Sequence, residues 1–305
     1  MAEPVQAVVI LNACAGKGCD TGFAEHLATR FQANGLLVRV TLAASGEDVI
    51  ALAQRAVSDG IQIVVAGGGD GTLNAVASVL VGSPVALGIL PLGTLNHFAK
   101  DLHIPLDLEE AIRTIAQGDF AQVDTGEINS RLFLNNCSLG LYPSIVRDRE
   151  RQQRRLGRGK WLAFFWAAVA ALRRYPFLDV TISLGGEDYQ RRTPFIFIGN
   201  NDYSMDGFNL GARQRLDAGR LSLYVVQRTG RLGLLALAVR ALFGRLKQAK
   251  DFDVLNAQKI QIHTRHQQIQ VATDGEVGRM RSPLFCRIRP AALKVMVLGN
   301  RSAKA

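Results

Sequence analysis

The sequence contains few aromatic residues, and its cysteines show no arrangement suited to a metal. Phe, Trp and Tyr make up 7% of the 305 residues, and they do not alternate with basic residues as in proteins that bind single-stranded nucleic acid. The four cysteines, at positions 14, 19, 137 and 286, form neither a C-x-x-C pair nor another metal-type spacing. We therefore expect no nucleic-acid partner, no cysteine-based metal centre, and reduced thiols in a cytosolic protein.

A secretory signal and a run long enough to span a bilayer are also missing. The stretch MAEPVQAVVILNA is acidic before a short apolar run, unlike a secretory signal. The longest apolar run, WLAFFWAAVAAL at 161–172, is too short to cross a membrane, and LGLLALAVRALF at 232–243 is interrupted by Arg240. The expectation is a cytoplasmic protein, either soluble or peripherally associated with a membrane.

Acidic residues are outnumbered by basic ones. The chain has 36 Lys and Arg against 26 Asp and Glu, which gives a net charge of +10. Such a balance favours a polyanionic partner, and on charge alone nucleic acid and an anionic lipid surface are both candidates. The run RDRERQQRRLGRGK at 147–160, just before the first apolar stretch, is either a solvated face or a membrane contact.

The first third of the chain alternates predicted strands and helices. Apolar strands such as AVVILN and IQIVVAG are separated by helical segments, one of which opens at Ser45 and closes at Gly60. This rhythm predicts an α/β domain with a parallel, doubly wound sheet. After Gly118 mainly antiparallel strands are predicted, including two joined around Asn129 and Ser130 and a hairpin at Gly185–Gly186. Helices are predicted at about 151–175 and 231–250.

The stretch VVAGGGDGTLNAVASVL, residues 64–80, leads from a buried strand through glycines into a helix. Glycines allow a ligand to approach the backbone, and a helix N-terminus attracts a phosphate. Asp70 would repel a phosphate, so we expect it to hold a cation between them. Taken alone, the stretch is also compatible with a tight turn in which Asp70 caps the helix.

A second glycine turn follows the next strand. In GILPLGTLNHFAKDL, residues 88–102, Pro91 stiffens the strand exit, Gly93 permits the turn, and Thr94 and Asn96 offer side-chain hydrogen bonds. The carboxyl ends of neighbouring parallel strands lie at one edge of a sheet, where ligands bind. The two turns together predict a site for a nucleotide phosphate chain.

Six blocks occur in a characteristic order along the chain: ILNACAG, GGDGTLN, PLGTLNHFA, VDTGEINSRLFLNNCSLGL, NLGARQRLDAGRLSLYVV and QVATDGEV, the last of which contains DGE. Together they resemble the diacylglycerol-kinase-type lipid kinases, whose superfamily includes the NAD kinases. The resemblance covers nearly the whole chain. It implies an N-terminal α/β nucleotide-binding domain at 1–123, with 290–305 as a possible addition. It also implies a β-sandwich-like lipid-substrate domain at 124–289, and an active site in the cleft between the two domains.

The resemblance also implies an ATP- and Mg²⁺-dependent kinase and assigns its residues. Asp70 would engage Mg²⁺ directly or through water, and Asp124 would be an acidic residue at the cleft. The residues expected on the nucleotide side are Asn12, Gly16, Thr41, Gly68, Gly69, Asp70, Gly71, Thr72, Thr94 and Asn96.

The DGE segment would supply the general base. A lipid hydroxyl is a poor nucleophile, and a carboxylate within hydrogen-bond reach can accept its proton. Asp274 and Glu276 straddle Gly275, and in an extended segment both would point the same way. Either is a candidate for the base, with the other orienting it or assisting the metal.

Some residues depart from the family pattern. His97 stands where an acidic residue is usual, Ala13 and Ala15 replace a proline and a serine, and Ala218 replaces an aspartate tied to a structural cation. Asp217 remains as the acidic candidate for that cation. Two alternatives therefore stay open: an NAD kinase-like enzyme with a soluble acceptor, and a catalytically weakened lipid- or nucleotide-binding protein. The expected partners are a lipid substrate and an anionic membrane surface, with a homodimer as a possible assembly.

Overall fold

The computed structural model describes residues 6–13, 20–140, 177–203, 213, 215–226 and 252–299. The helices in these residues are α1 (Thr21–Ala33), α2 (Gly46–Ser58), α3 (Asp70–Leu80), α4 (His97–Asp101) and α5 (Leu108–Gln117). The strands are β1 (Ala7–Asn12), β2 (Val38–Ala43), β3 (Ile63–Gly68), β4 (Ala86–Pro91), β5 (Asp119–Ile128), β6 (Arg131–Phe133), β7 (Asn136–Gly140), β8 (Leu178–Leu184), β9 (Glu187–Thr193), β10 (Phe195–Asn200), β11 (Leu221–Val226), β12 (Phe252–Ala257), β13 (Lys259–Thr264), β14 (Gln268–Thr273), β15 (Glu276–Arg281) and β16 (Leu284–Val297).

The chain divides into two compact units. The first contains the described residues up to Thr125 and those from Pro290 onward, and the second contains those from Gly126 to Arg289. Strands β5 and β16 each contribute residues to both units. The sequence alone did not decide which domain contains the final strand. In the structure, this strand belongs in part to each unit.

The first unit is built on a parallel sheet with strand order β2-β1-β3-β4, next to which the end of β16 also runs parallel. Its strands bury apolar side chains on both faces, as expected for a sheet covered by helices. From β1 the chain adds β2 on one side and β3 on the other, so the strand order reverses at β1. In open α/β sheets, ligands bind at such a switch point, beyond the carboxyl ends of the strands.

The helices of this unit begin at caps that the sequence encodes. Asp20, Ser45 and Asp107 each accept a backbone N–H of the first turn, at α1, α2 and α5 respectively. The predicted start of α2 after Ser45 is thus confirmed. Helix α5 was not predicted, although its acidic first turn and strongly one-sided apolar pattern are typical of a surface helix.

The second unit consists of two mainly antiparallel sheets that enclose one core. One sheet has the order β12-β11-β10-β7-β14-β15, and the other includes β16, β13, β8 and β9. Their inward side chains form a common buried cluster that includes Ile198, Leu223 and Val271 from the first sheet, and Ile182 and Ile262 from the second. The predicted α/β plus β-sandwich-like fold class is confirmed.

Two of the predicted turns are confirmed and one predicted strand is divided. Positive φ angles at Asn129 and Ser130, and at Gly185 and Gly186, mark the two tight turns. The strand predicted after Ser130 is interrupted at 134–135 and forms β6 and β7. The helices predicted at 151–175 and 231–250 lie outside the described residues. Of the described helices, none has the length and apolar character needed to cross a bilayer.

Candidate functional site

The two glycine turns leave adjacent parallel strands at the same level. Gly68 at the end of β3 is directly opposite Pro91 at the end of β4. Each strand then continues into a helix, α3 or α4, within a few residues. The sheet register therefore brings the two turns together, as the sequence predicts.

The turns are in backbone contact at Gly69 and Gly93. A Cβ atom on Gly93 would overlap the Cα of Gly69 and would lie 2.8 Å from Oδ1 of Asn96. A Cβ on Gly68 would lie 2.5 Å from Oγ1 of Thr72. Only glycine permits these approaches, so the glycines are required by packing as well as by access to a ligand.

Asp70 links the two turns. It is the first residue of α3, it is half-buried, and its Oδ1 accepts the backbone N–H of Phe98 in α4 at 3.4 Å. Within the part of the chain that the structure describes, no side chain caps α3, whose N-cap is Gly69. The N-terminus of α3, the positive end of the helix dipole, thus lies beside the Asp70 carboxylate. The helix N-terminus suits a phosphate, and the carboxylate suits a cation bound to that phosphate.

A hydrogen bond at the switch point connects β1 to α3. Nδ2 of Asn12, at the end of β1, donates to Oγ1 of Thr72 at 3.1 Å. Thr72 is buried, whereas Gly71 beside it is exposed. Thr41 lies half-buried in β2, opposite Ile10 of β1. Gly16 lies outside the described residues.

Asn96 shapes its own turn. It is buried and has a left-handed backbone, with φ of 51°. Its Oδ1 accepts the N–H of Gly93 at 3.1 Å, and its Nδ2 donates to the carbonyls of Pro91 at 3.1 Å and Gly93 at 2.9 Å. The Asn96 side chain therefore fixes the conformation of this turn. Thr94, in the same turn, is exposed to solvent. His97, the first residue of α4, is also exposed.

Asp124 is buried in the first unit. Its Oδ1 accepts the N–H of Ala291 at 2.8 Å. Ala291 itself has a positive φ of 48°. Since a non-glycine residue in this conformation is strained, the bond stabilises the left-handed backbone of Ala291 within β16.

In the second unit, the DGE segment is a turn, and the expectation of an extended segment was wrong. Asp274 and Gly275 have φ angles of +47° and +86° and join β14 to β15. An Asp-Gly pair suits the hairpin turn that needs two positive φ angles.

The carboxylate of Asp274 binds the loop between β6 and β7. Its Oδ2 accepts the N–H of Leu134 at 2.7 Å, and its Oδ1 accepts those of Asn135 at 2.8 Å and Asn136 at 3.0 Å. Burial raises the pKa of Asp274 to about 6, although these backbone N–H groups and the charge of Arg213 act to lower it.

Glu276 lies in a different environment at the start of β15. Its side chain is 60% exposed, and its Oε2 forms an ion pair with Nη2 of Arg131 at 2.7 Å. Asp274 and Glu276 thus contact the same segment, 131–136. Asp274 accepts hydrogen bonds from the backbone N–H groups of this segment, whereas Glu276 pairs with the side chain of Arg131.

Asp217 already has a cationic partner. Its carboxylate accepts hydrogen bonds from Nε and Nη2 of Arg215 at 3.0 and 3.3 Å, and these bonds lower its pKa. The N–H of Ala218 donates to Oδ1 of Asn201 at 3.0 Å. A cation at Asp217 would have to compete with the Arg215 guanidinium.

The donors in the first unit fit magnesium bound to a phosphate chain. Asp70 and the hydroxyls of Thr72 and Thr94 are oxygen ligands of the kind that Mg²⁺ takes. Across the residues described, no group of three His, Cys, Asp or Glu side chains lies together. Mg²⁺ at a nucleotide usually keeps several waters and binds phosphate oxygens besides one or two carboxylates.

Sequence reasoning missed the polar residues behind the DGE turn. Arg213, Asn135 and Asn200 are all buried there, and Arg131 pairs with Glu276. A basic groove of about 970 Å³ between β8, β9 and β13, lined by Arg191, Arg192 and His263 among others, contains none of the predicted site residues.

Comparison with known families finds two matches along the chain. Residues 6–128 match the diacylglycerol kinase catalytic domain. Residues 142–297, more than half of the chain, match the YegS C-terminal NAD kinase beta sandwich-like domain.

Curated proteins and solved structures show the same likeness. A diacylglycerol kinase of Staphylococcus carnosus (strain TM300) is 26% identical over 276 residues, which cover 90% of this chain and 89% of that protein. One from Staphylococcus saprophyticus is 28% identical over 76% of this chain and 75% of that protein. A crystal structure of a diacylglycerol kinase from Bacillus anthracis str. Sterne has a TM-score of 0.70 at 20% identity, covering 98% of both chains. Another structure from that strain reaches 0.76 at 22% identity with the same coverage. These structural likenesses support the fold.

Proposed function

The chain belongs to the family of diacylglycerol-kinase-type lipid kinases, and from that premise we propose that it transfers the γ-phosphoryl group of Mg²⁺-bound ATP to a lipid hydroxyl. The observation that carries this proposal is the contact between the two glycine turns, with Asp70 hydrogen-bonded from one turn to the other. Phosphoryl transfer depends mostly on positioning and charge neutralisation, and this arrangement is suited to both.

In the first unit, the residues around the turns would hold the phosphate chain. The N-terminus of α3 and the exposed Thr94 would donate hydrogen bonds to phosphate oxygens, while Asn12 keeps Thr72 in place. Asp70 would hold Mg²⁺ directly or through water. The ion, when bound, would neutralise charge on the phosphates.

In the second unit, we assign Glu276 as the proton acceptor and Asp274 as the residue that anchors the turn. Both oxygens of Asp274 already accept backbone N–H groups, whereas Glu276 is exposed and held by one arginine at the surface. Glu276 can therefore reach an acceptor hydroxyl without dismantling the loop. The ion pair with Arg131 would hold the Glu276 carboxylate in one position at the surface.

Incubation with γ-labelled ATP, Mg²⁺ and a total lipid extract tests the proposed reaction. We expect label in the organic phase, and no label when Mg²⁺ is chelated. Separate incubations with diacylglycerol, a sphingoid base and a phospholipid would then identify the acceptor. Label found only in a water-soluble dinucleotide would favour the NAD kinase-like alternative. Nucleotide binding without any transfer would favour a binding protein.

We further propose that the protein works while bound peripherally to an anionic membrane. The support is the net charge of +10 and the basic run at 147–160, which lies outside the described residues. Basic residues near an anionic bilayer contribute roughly 1 kcal/mol each, and salt screens that attraction. Co-sedimentation with anionic vesicles should therefore fall as salt rises, and neutral vesicles should recruit the protein poorly.

The basic run can be tested against a matched control. Replacing Arg154, Arg155 and Arg158 with serine should weaken recruitment by roughly 10²-fold, given about 1 kcal/mol for each of the three charges. The control variant carries the same number of serines at exposed positions of the first unit, namely Arg39, Arg55 and Arg113. An equal loss of vesicle recruitment in the two variants would show that only the total charge matters. The basic run at 147–160 would then have no specific part in membrane binding.

A further inference from the structure

The loop at 134–136, which joins β6 to β7 and includes the first residue of β7, is bonded on two sides by groups of opposite charge. Its three backbone N–H groups donate to the carboxylate of Asp274 at 2.7, 2.8 and 3.0 Å. In return, the N–H of Asp274 donates to the carbonyl of Asn136 at 2.9 Å. The position of the turn at 274–275 is therefore set by the position of this loop.

The acceptor groups of the loop bind a buried cation. Arg213 is 3% exposed. Its Nη1 donates to the carbonyls of Leu134 at 2.7 Å and Asn200 at 3.2 Å, and its Nη2 donates to Oδ1 of Asn135 at 2.7 Å. The guanidinium also lies 5.6 Å from the ring centroid of Tyr203.

Asn200, at the end of β10, fixes the loop against the sheet. It is fully buried, its Nδ2 donates to the carbonyl of Leu134 at 2.8 Å, and its N–H donates to the carbonyl of Asn135 at 2.8 Å. A hydrogen-bonded chain thus runs from the cation through the loop to the carboxylate. Buried networks of this kind polarise and strengthen each bond along them.

We propose that Arg213 is a positioning residue for the transfer reaction, acting through the loop at 134–136 on the turn that carries Asp274 and Glu276. The inference rests on the proposed function for its catalytic meaning. A guanidinium can direct rigidly arranged donors to a side chain and two carbonyls at once, while a lysine ammonium of similar reach lacks that geometry.

The charges around Asp274 agree with this role. Burial raises the pKa of Asp274, and the positive charge of Arg213 partly opposes that rise. Among the described residues, the thiol of Cys137 on β7 also interacts with Asp274. Glu276, two residues further along the chain, pairs with Arg131 of β6. Loss of the Arg213 charge should therefore move the pKa of Asp274 further upward.

The kinetic test compares Arg213→Lys and Arg213→Gln with the control Arg192→Gln. Arg192 is a surface arginine of the same unit, 62% exposed, with a long ion pair to Asp179. Misplacement of reacting groups by about 1 Å costs up to about 10²-fold in rate. We expect kcat to fall roughly 10- to 100-fold in Arg213→Gln and less in Arg213→Lys, while KM for ATP changes by no more than about twofold.

A second readout does not depend on activity. In the full-length protein, the amide NMR signals of 134–136 should shift with pH around a midpoint near the pKa of Asp274, about 6. The midpoint should rise in Arg213→Gln and remain close to that of the wild type in Arg192→Gln. If the Arg213 variants do not fold, Asn135→Ala can replace them, because it removes one acceptor of the guanidinium. This variant should lower kcat and raise the titration midpoint in the same direction, but by smaller amounts.

Two outcomes would overturn the inference. One is a wild-type kcat in Arg213→Gln. The other is an amide titration that the loss of Arg213 leaves unchanged, which would reduce the residue to packing. If the wild-type protein phosphorylates no lipid, the proposed function fails on that result alone. The amide titration then still decides whether Arg213 controls the turn.

Discussion

Replacing Asp70 with asparagine should lower phosphoryl transfer by roughly 10²- to 10³-fold, the usual cost of removing one preorganised electrostatic group. Asparagine keeps an oxygen that can accept the Phe98 N–H, so the turn should remain folded. What it loses is the negative charge that would hold a cation beside the phosphates. The Mg²⁺ concentration that gives half-maximal rate should rise at the same time. Steady-state rates measured across a Mg²⁺ titration would show both effects.

The control for this prediction is Asp59→Asn. Asp59 is an exposed aspartate of the same unit that forms a surface ion pair with Arg39 at 3.4 Å, and such pairs contribute about 1 kcal/mol or less. Its replacement should leave the rate and the Mg²⁺ dependence unchanged. Full activity of Asp70→Asn with an unaltered Mg²⁺ dependence would contradict the metal role and leave Asp70 as a link between the turns.

The phosphate-binding half could be predicted because its geometry follows from local sequence and a topological rule. Alternating strands and helices imply a parallel sheet, and a parallel sheet places successive carboxyl ends at one edge. The contact of Gly69 with Gly93 is a consequence of that register. What the sequence could not show is that Asn96 turns its amide inward, because this depends on a left-handed backbone at one residue.

The sequence contains a hairpin signal at 274–275. The interpretation of DGE as a family motif in an extended segment did not take that signal into account. Asp-Gly between alternating apolar residues is a strong hairpin signal, and QVATDGEV contains it. Reading the segment as extended predicted two parallel carboxylates. The hairpin instead directs Asp274 to the backbone of one loop and leaves Glu276 at the start of the next strand.

The network behind this turn had no local signal. Arg213 and Asn135 are 78 residues apart, and Asp274 and Leu134 are 140 apart. Periodicity and motif spacing report on neighbours along the chain, so they cannot distinguish an arginine buried by distant residues from a surface arginine. The pairing of β7 with both β10 and β14, together with the bridge between Arg213 and Tyr203, brings these residues together.

The different environments of Asp274 and Glu276 lead to opposite expectations for their substitution. Glu276→Gln removes a proton acceptor from an exposed position, where its ion pair with Arg131 contributes about 1 kcal/mol or less. The rate should fall roughly 10²- to 10⁴-fold, the range attributed to general base catalysis. The midpoint of chemical unfolding and the affinity for ATP should stay close to those of the wild type. A Glu276→Gln protein with full activity would transfer the base assignment to Asp274.

Asp274→Asn should instead destabilise the protein, by an amount that depends on pH. Asparagine has one acceptor oxygen for three backbone N–H groups, so part of the loop loses its partner. The folded-state pKa of Asp274 is raised from its ordinary 3.8 to about 6. Its proton-linked contribution to stability is therefore complete below about pH 4 and is lost as the pH rises through about 6.

The asparagine variant has no such titration, so the difference in unfolding free energy between wild type and Asp274→Asn should shrink as the pH rises. A shift of this size corresponds to about 3 kcal/mol at most between about pH 4 and pH 7.5. Denaturant titrations of both proteins at the two pH values measure it, and other titrating groups cancel in the comparison. A difference that grows with pH would mean that the backbone N–H groups outweigh burial and hold Asp274 ionised. Asp274 would then be a permanently charged anchor, and the assignment of proton transfer to Glu276 would be strengthened.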